Sequence, residues 1–263
     1  MRVVVVGAAG RMGREVLKAL SSAPEFEIVA AVDREHLGTT CKDLVGSGPD
    51  VAIEEKLGSA LDRTKPDAIV DFTHASSGTA HALSALQRGI RPVIGTTGLS
   101  EANIRELASA SREFKTPGIY APNFAIGAVL MMRFAAMAAK WLPDSEIIEL
   151  HHDKKEDAPS GTALLTAQLI GDARTEAPRR KPKPILKVEG VRGGVSHDTP
   201  IHSVRLPGFV AHQEVIFGGT GEVLTLRHDS LDRISFIEGV KLCLREVQSL
   251  EGFVVGMDKI LFR

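Results

Sequence analysis

Cysteine is nearly absent: Cys41 and Cys243 are the only two in 263 residues, far apart and without a CxxC or metal-ligand spacing. Such a pair supports neither a disulfide framework nor a thiolate zinc site, and two reduced thiols are expected. Long hydrophobic runs are missing too. The opening MRVVVVGAAG is too short for a signal peptide and is interrupted by glycine, and no later stretch reaches the roughly 20 apolar residues that a membrane span needs. A cytoplasmic protein is expected. Nor is charge of either sign in excess: 32 Lys and Arg against 33 Asp and Glu leave a formal net charge of -1. That balance supplies no global attraction to nucleic acid or to an anionic membrane, so any anion site has to be local. Internal repeats and low-complexity segments are also absent.

What is present is an ordinary globular composition, 43% hydrophobic and 25% charged, in a chain long enough for one large domain or, preferably, two moderate ones. Arg2–Val6 is a short β-branched run, followed by a glycine-rich turn and a helical pattern through Met12, Val16, Leu17 and Leu20. Further strands are read at Glu27–Val32, 68–72 and 92–94, with helical stretches between them. Strands alternating with helices predict a parallel sheet covered on both faces, a doubly wound α/β domain of Rossmann type ending near Phe124. Residues 127–142, GAVLMMRFAAMAAKWL, are apolar on nearly all sides and read as a buried core helix. A strand IIELH follows, then a polar loop, a helix from about Thr162, and a basic, proline-rich stretch RRKPKP at 179–184 that reads as a solvated loop. Three glycine-punctuated β-segments between 197 and 229, HSVRLP, EVIFG and EVLTLRH, fit a mainly antiparallel sheet, which makes the second domain α+β. A final amphipathic helix is expected over 231–250.

Gly7, Gly10 and Gly13 form GAAGRMG between a strand and a helix, where a tight turn brings backbone amides to a pyrophosphate at the helix N-terminus. Gly7, Ala8, Ala9, Gly10, Arg11 and Met12 are therefore candidate cofactor contacts. The spacing is G-x-x-G-x-x-G, with Ala9 in place of the second glycine of the usual fingerprint, so the same glycines also suit a turn that simply precedes a packed helix. Asp33 tips the reading toward a dinucleotide: it closes the second strand about twenty residues on, where a ribose 2′-hydroxyl needs an acceptor. A carboxylate there argues for NADH. The adjacent Arg34 can pair with the 2′-phosphate of NADPH, so use of NADH, NADPH or both is expected. Gly95, Thr96 and Thr97 follow the strand PVI, at the carboxyl edge where parallel sheets bind ligands.

Residues 146–163, EIIELHHDKKEDAPSGTA, compress histidines, lysines, carboxylates and hydroxyls into one strand-to-helix connection. His151 and His152 are adjacent on a strand and point to opposite sides, which disfavours shared chelation, and no metal is expected. One of them can face a cofactor cleft as general acid or base. Lys154 and Lys155 bring cations nearby. Ser160 reads as the N-cap of the following helix, and the amides of Gly161 and Thr162, at the positive end of its dipole, would receive a carboxylate. A capped helix with solvated lysines needs the same residues, so the segment alone leaves both readings open.

HHDKKEDAPSGTA resembles the signature of the dihydrodipicolinate reductases: two histidines, a lysine four residues after the first, then DAPSGT. GAAGRMG, DFT at 71–73, GTTG at 95–98, APNF at 121–124, RLPG at 205–208 and HDS at 228–230 occur in the family's order, so the resemblance spans nearly the whole chain. It implies an NADH- or NADPH-dependent oxidoreductase that reduces a cyclic unsaturated dicarboxylate, 4-hydroxy-tetrahydrodipicolinate, on the route to diaminopimelate and lysine. It implies His151 as the general acid/base, Lys155 as a proton donor, and His152, Lys155, Ser160, Gly161 and Thr162 as substrate contacts. It adds Ala121, Pro122, Asn123 and Phe124 to the cofactor contacts. The C-terminal helix would return to the cofactor domain, giving a dinucleotide-binding domain of residues 1–125 and 232–263, a substrate-binding and oligomerisation domain of residues 126–231, and a homotetramer built through the second sheet. Two other readings compete. One is a different small-substrate dehydrogenase, although neither cysteine has the setting of a semialdehyde dehydrogenase's nucleophile. The other is a non-catalytic nicotinamide-sensing module, which could keep GAAGRMG and Asp33 but has no use for HHxxK.

Overall fold

The computed structural model describes residues 1–178 and 185–263, and the RRKPKP stretch at 179–184 lies outside the described residues. The chain divides into two compact units, Met1–Phe124 with Phe236–Arg263, and Ala125–Ser235.

Seven strands make the sheet of the first unit: β1 (Arg2–Val6), β2 (Glu27–Val32), β3 (Ile53–Glu54), β4 (Ala68–Asp71), β5 (Arg91–Ile94), β6 (Gly118–Tyr120) and β12 (Phe253–Val255). Their order is β12-β6-β5-β4-β1-β2-β3, and every pairing is parallel. Strands of a covered parallel sheet are apolar on both faces, and Val3, Val4, Val5 and Val6 are all buried. Helix α1 (Arg11–Ser21) buries Gly13, Val16, Leu17 and Leu20, the i, i+3, i+4, i+7 stripe of an amphipathic helix. Leu57 and Leu61 of α3 (Leu57–Thr64) pack with Val4, Val6, Val32 and Ile69. Leu86 of α4 (Ala75–Leu86) and Leu107 of α5 (Glu101–Glu113) pack with Ile94 and Tyr120 in a second cluster. The strand order reverses between β1 and β4, so the carboxyl ends of these two strands flank the crevice where open α/β sheets bind ligands.

This is the doubly wound sheet expected from the sequence, with differences of detail. The strand expected at 68–72 ends at Asp71, and the one expected at 92–94 begins at Arg91. Strands β3, β6 and β12 have only two or three residues each, too few to show a period of two. The helix expected over 231–250 is broken. It starts as a 3-10 turn at Arg233–Phe236, becomes α8 (Ile237–Glu246) and ends in a second 3-10 turn at Val247–Ser249. The break falls where the chain passes from one unit to the other.

The second unit has a five-stranded sheet of β7 (Asp144–His151), β8 (Gly194–Ser196), β9 (Thr199–Arg205), β10 (Ala211–Gly219) and β11 (Glu222–Ser230), with α6 (Ile126–Ala138) and α7 (Gly161–Ala173). Its order is β11-β10-β7-β9-β8. Three pairings are antiparallel, as expected. The central pair β7–β9 is parallel, because a crossover containing α7 joins the two strands. The apolar segment 127–142 does not bury all its sides. Val129, Met131, Met132 and Ala135 are buried, but Phe134 and Met137 are about half exposed and Trp141 is 85% exposed, since a helix lying on a sheet has one face to give it. No helix among the described residues is long and apolar enough to cross a membrane.

Candidate active site

The glycine-rich turn sits at the carboxyl end of β1, and each glycine has a separate reason to be there. Gly7 takes φ +78, a backbone region that side chains disfavour. A Cβ on Gly13 would stand 2.0 Å from the Gly7 carbonyl oxygen, so α1 can pack onto the turn only without one. Gly10 is the N-cap of α1, which has no side-chain cap and no acidic residue in its first turn. The positive end of that helix is thus left to an anion from outside.

Asp33 follows β2 and ties this turn in place. One carboxylate oxygen accepts from Ala9 N at 2.8 Å, the other from Arg34 N at 2.7 Å and Glu35 N at 3.1 Å. Gly7, Gly10, Asp33 and Arg34 line a cavity of about 370 Å³ with Phe72, Thr73, His74, Ser77 and His81. A wall without side chains, an uncapped helix end, a carboxylate and an arginine are what a nicotinamide dinucleotide requires, and the residues fit one. Of the neighbouring candidates, Ala8 and Ala9 are buried in the turn, while Arg11 is exposed and Met12 is half-buried. Gly95 lies under the Phe72 ring, where a Cβ would meet it at 2.3 Å. The Thr96 hydroxyl is turned inward, whereas Thr97 is exposed. Ala121 N donates to Ile94 O, and Pro122 and Asn123 follow, partly exposed. The Phe124 ring is buried 5.6 Å from Phe72.

Sequence reasoning assigned no role to the polar network beneath this cavity. Asp71, fully buried at the end of β4, accepts from Thr73 N, Thr73 Oγ1 and Thr96 Oγ1 through one oxygen. Its other oxygen meets His81 Nδ1 at 2.7 Å. The DFT motif contained the aspartate and Thr73, but the other partners come from α4 and from the turn after β5.

In the second unit His151 is the last residue of β7, and its Nδ1 lies 2.5 Å from Glu149 Oε2. Glu149 is fully buried and is clasped by Arg205 of β9, whose two terminal nitrogens reach its two oxygens at 3.0 and 2.8 Å. Burial pushes this carboxyl up, but hydrogen bonds from His151, Arg205 and Ser203 outweigh it and bring the pKa down to about 2. Arg205 also donates to Asp157 O at 2.8 Å, and the Asp157 carboxylate holds Lys155 Nζ at 2.7 and 2.8 Å. An unbroken chain of contacts therefore joins His151 to Lys155. His152 lies one residue beyond the strand, half-buried. Ser160 is buried and caps α7, its hydroxyl accepting from Ala163 N at 3.2 Å. Gly161 opens the helix, and a Cβ there would meet nothing within 4 Å. Thr162 follows in the first turn, which has no acidic residue. Burial pushes the Cys41 and Cys243 thiols up to about 11 and about 12, which leaves neither thiol the makings of a nucleophile.

A family model described as the dihydrodipicolinate reductase N-terminus matches residues 1–124, and one described as its C-terminus matches residues 127–261. The 4-hydroxy-tetrahydrodipicolinate reductase of Geobacillus thermodenitrificans (strain NG80-2) is 49% identical over 262 residues, covering 99% of both chains. That of Bacillus pumilus (strain SAFR-032) is 46% identical over 261 residues, covering 99% of this chain and 98% of its own. Among solved structures, a dipicolinate-bound dihydrodipicolinate reductase from Paenisporosarcina sp. TG-14 superposes with a TM-score of 0.87 at 41% identity, covering 99% of both chains.

Proposed function

The chain belongs to the dihydrodipicolinate reductase family and reduces 4-hydroxy-tetrahydrodipicolinate to tetrahydrodipicolinate with NADH or NADPH, a step of diaminopimelate and lysine biosynthesis; we propose that His151 and Lys155 handle the proton in that step. The observation that carries this assignment is the bonded cluster at the end of β7. It joins His151 through Glu149, Arg205 and Asp157 to Lys155, just ahead of the open N-terminus of α7.

The reduced nicotinamide, when bound, supplies the hydride to a ring carbon. Residues of the chain do the rest. The amides of Gly7, Ala8, Ala9, Gly10, Arg11 and Met12 at the head of α1 hold the diphosphate. Asp33 accepts from the adenosine ribose, and Arg34 meets the 2′-phosphate when NADPH is used, so both cofactors are accepted. Gly95, Thr97, Ala121, Pro122 and Asn123 border the same edge of the sheet, with the Thr96 hydroxyl and the Phe124 ring supporting it from within.

The substrate is a dicarboxylate, and the Paenisporosarcina reductase was solved with dipicolinate, also a dicarboxylate. In this chain the start of α7, at Ser160, Gly161 and Thr162, receives one carboxylate, assisted by Lys155 and His152. A substrate carboxylate there competes with Asp157 for the Lys155 ammonium. Loss of water from the 4-hydroxy ring leaves a conjugated imine; once hydride has reached its ring carbon, His151 protonates the neighbouring position, with Lys155 as second donor. Met1–Phe124 with the C-terminal segment serves as the cofactor domain and residues 126–231 as the substrate and oligomerisation domain. The exposed apolar residues Val223 and Leu224 of β11 support a homotetramer formed through the second sheet. A cytoplasmic location fits a pathway fed by soluble metabolites.

The deciding assay supplies the condensation product of pyruvate and aspartate semialdehyde and follows oxidation of NADH and NADPH separately. Turnover with both is expected. No oxidation of either would remove the functional reading, and strict use of one would remove the dual role of Asp33 and Arg34.

A further inference from the structure

The histidine assigned to proton transfer is not free to choose its tautomer, and the residue that chooses for it lies two positions earlier in the same strand. Successive residues of β7 alternate faces, so Glu149 and His151 share one. The parallel register sets Ser203 beside Glu149 and Arg205 beside His151. Arg205 then reaches diagonally to grip both Glu149 oxygens, as its fork geometry favours. The fully buried carboxyl, with its pKa near 2, is ionised at any working pH. An ionised carboxylate can only accept, so at 2.5 Å the proton between the two residues belongs to His151 Nδ1. The neutral ring therefore keeps Nε2 bare as a base, and the imidazolium gives its proton from Nε2.

We infer that Glu149, locked by Arg205, is the positioning residue that fixes the tautomer and orientation of His151 for proton transfer. The inference rests on the reading of His151 as the proton-handling residue. The groups facing His151 are few: Glu149 on its own strand and Arg205 on β9, with uncharged Ala211 opposite it on β10 and Gln213 opposite Glu149. Lys155 and Asp157 in the following turn form an ion pair that Arg205 links to Glu149. Because Arg205 offsets the charge of Glu149, the carboxylate acts chiefly as an orienter rather than as a bare negative charge.

Glu149→Gln tests this. Arg205 will bind the carboxamide oxygen and turn its NH2 toward His151 Nδ1, which must then accept, so the neutral ring carries its proton on Nε2. Removing an orienting partner lowers rates by about 10- to 100-fold, and inverting a catalytic histidine's tautomer by up to about 10⁴-fold. We expect kcat to fall within that span while the KM for the dicarboxylate and the Kd for NADH stay within about threefold. In a His151→Ala background, Glu149→Gln should subtract nothing further.

A wild-type kcat in folded Glu149→Gln, or an equal loss in the His151→Ala background, would overturn the positioning role. If His151→Ala itself turns over normally, it is the parent reading that fails. Should Glu149→Gln not fold, the charge-balanced Glu149→Leu/Arg205→Met pair takes its place; it leaves His151 Nδ1 without its acceptor, and a fall in kcat of about 10- to 100-fold is expected. Long-range ¹⁵N–¹H spectra of the wild-type protein, with His151 assigned by its absence in His151→Ala, need no Glu149 variant. They should show a neutral His151 protonated on Nδ1, and an Nε2-protonated ring would end the proposal.

Discussion

Two glycines near helix N-termini make opposite predictions for the same substitution. At Gly13 an added Cβ would lie 2.0 Å from the Gly7 carbonyl oxygen and 2.8 Å from Ala8 Cα, both backbone atoms of the turn. An ordinary contact is near 3.4 Å, so the overlap with the oxygen is about 1.4 Å, and only a shift of α1 or of the turn can relieve it. Neither moves freely. Val16, Leu17 and Leu20 anchor the helix in the core, and Asp33 pins Ala9. Overpacking of this kind costs about 1–3 kcal/mol, against a helix-propensity gain of up to about 1 kcal/mol for Ala over Gly. Because the clash is with backbone, the upper half of that cost applies, about 2–3 kcal/mol; less the full propensity gain it leaves about 1–2 kcal/mol, a fall in Tm of roughly 2–8 °C in a protein of this size. The displaced turn is also the proposed diphosphate cradle, and misplacement by about an ångström can cost on the order of 100-fold in function. Gly13→Ala should therefore raise the Kd for NADH by at least about tenfold. At Gly161 a Cβ meets nothing within 4 Å, so Gly161→Ala should leave Tm unchanged or slightly raised. Calorimetric melting and NADH fluorescence titration on both variants check the pair. A Gly13→Ala protein that melts and binds NADH like the wild type would refute the packing argument.

The remaining tests separate cofactor choice, chemistry and substrate binding. Arg34→Ala should weaken NADPH much more than NADH, by the value of one charge-assisted phosphate contact, about 1.5–3 kcal/mol or roughly 10- to 150-fold, whereas an unchanged NADPH-to-NADH ratio of Kd values would exclude the phosphate role. His151→Ala should lower kcat by about 10²- to 10⁴-fold with NADH affinity near wild type. Lys155→Ala should also raise the KM for substrate, and the double variant should be little worse than the poorer single one; a lower Tm with normal kcat would reduce both residues to structural parts. Gly161→Val should raise KM in a folded protein by obstructing the start of α7, and an unchanged KM would leave that helix end with its cap alone.

The sheet of the first unit was legible because burial on both faces forces its strands into unbroken apolar runs. RVVVV and EIVAAV announce themselves, and glycine turns punctuate them. The strands that escaped notice, Ile53–Glu54, Gly118–Tyr120 and Phe253–Val255, lie toward the two ends of the sheet order, where two or three paired residues suffice. The apolar segment after Gly127 misled in the other direction. Composition reports how apolar a helix is and says nothing of how many of its faces find a partner, and Phe134, Met137 and Trp141 remain exposed.

The candidate site shows the same division between local and lateral information. HHDKKEDAPSG was conspicuous because its groups are consecutive, and Ser160 could be read as an N-cap because capping is decided within three residues. Glu149 was hidden in EIIELH, where a strand that alternates faces gives a glutamate no mark to distinguish a buried position from an exposed one. Glu146, three residues earlier, stands on the opposite face. What separates the two is the neighbouring strand, which brings Arg205 across 56 residues to Glu149, and that register is a property of the sheet. Asp71 makes the same point, since its partner His81 comes from α4 and Thr96 from beyond β5. In the second unit the groups proposed to meet the substrate are clustered in sequence, while the carboxylate proposed to orient His151 is fully buried. A buried carboxylate is tolerable only with partners to satisfy it. The residues most able to set the behaviour of His151 and His81 are thus legible only once those partners are in place.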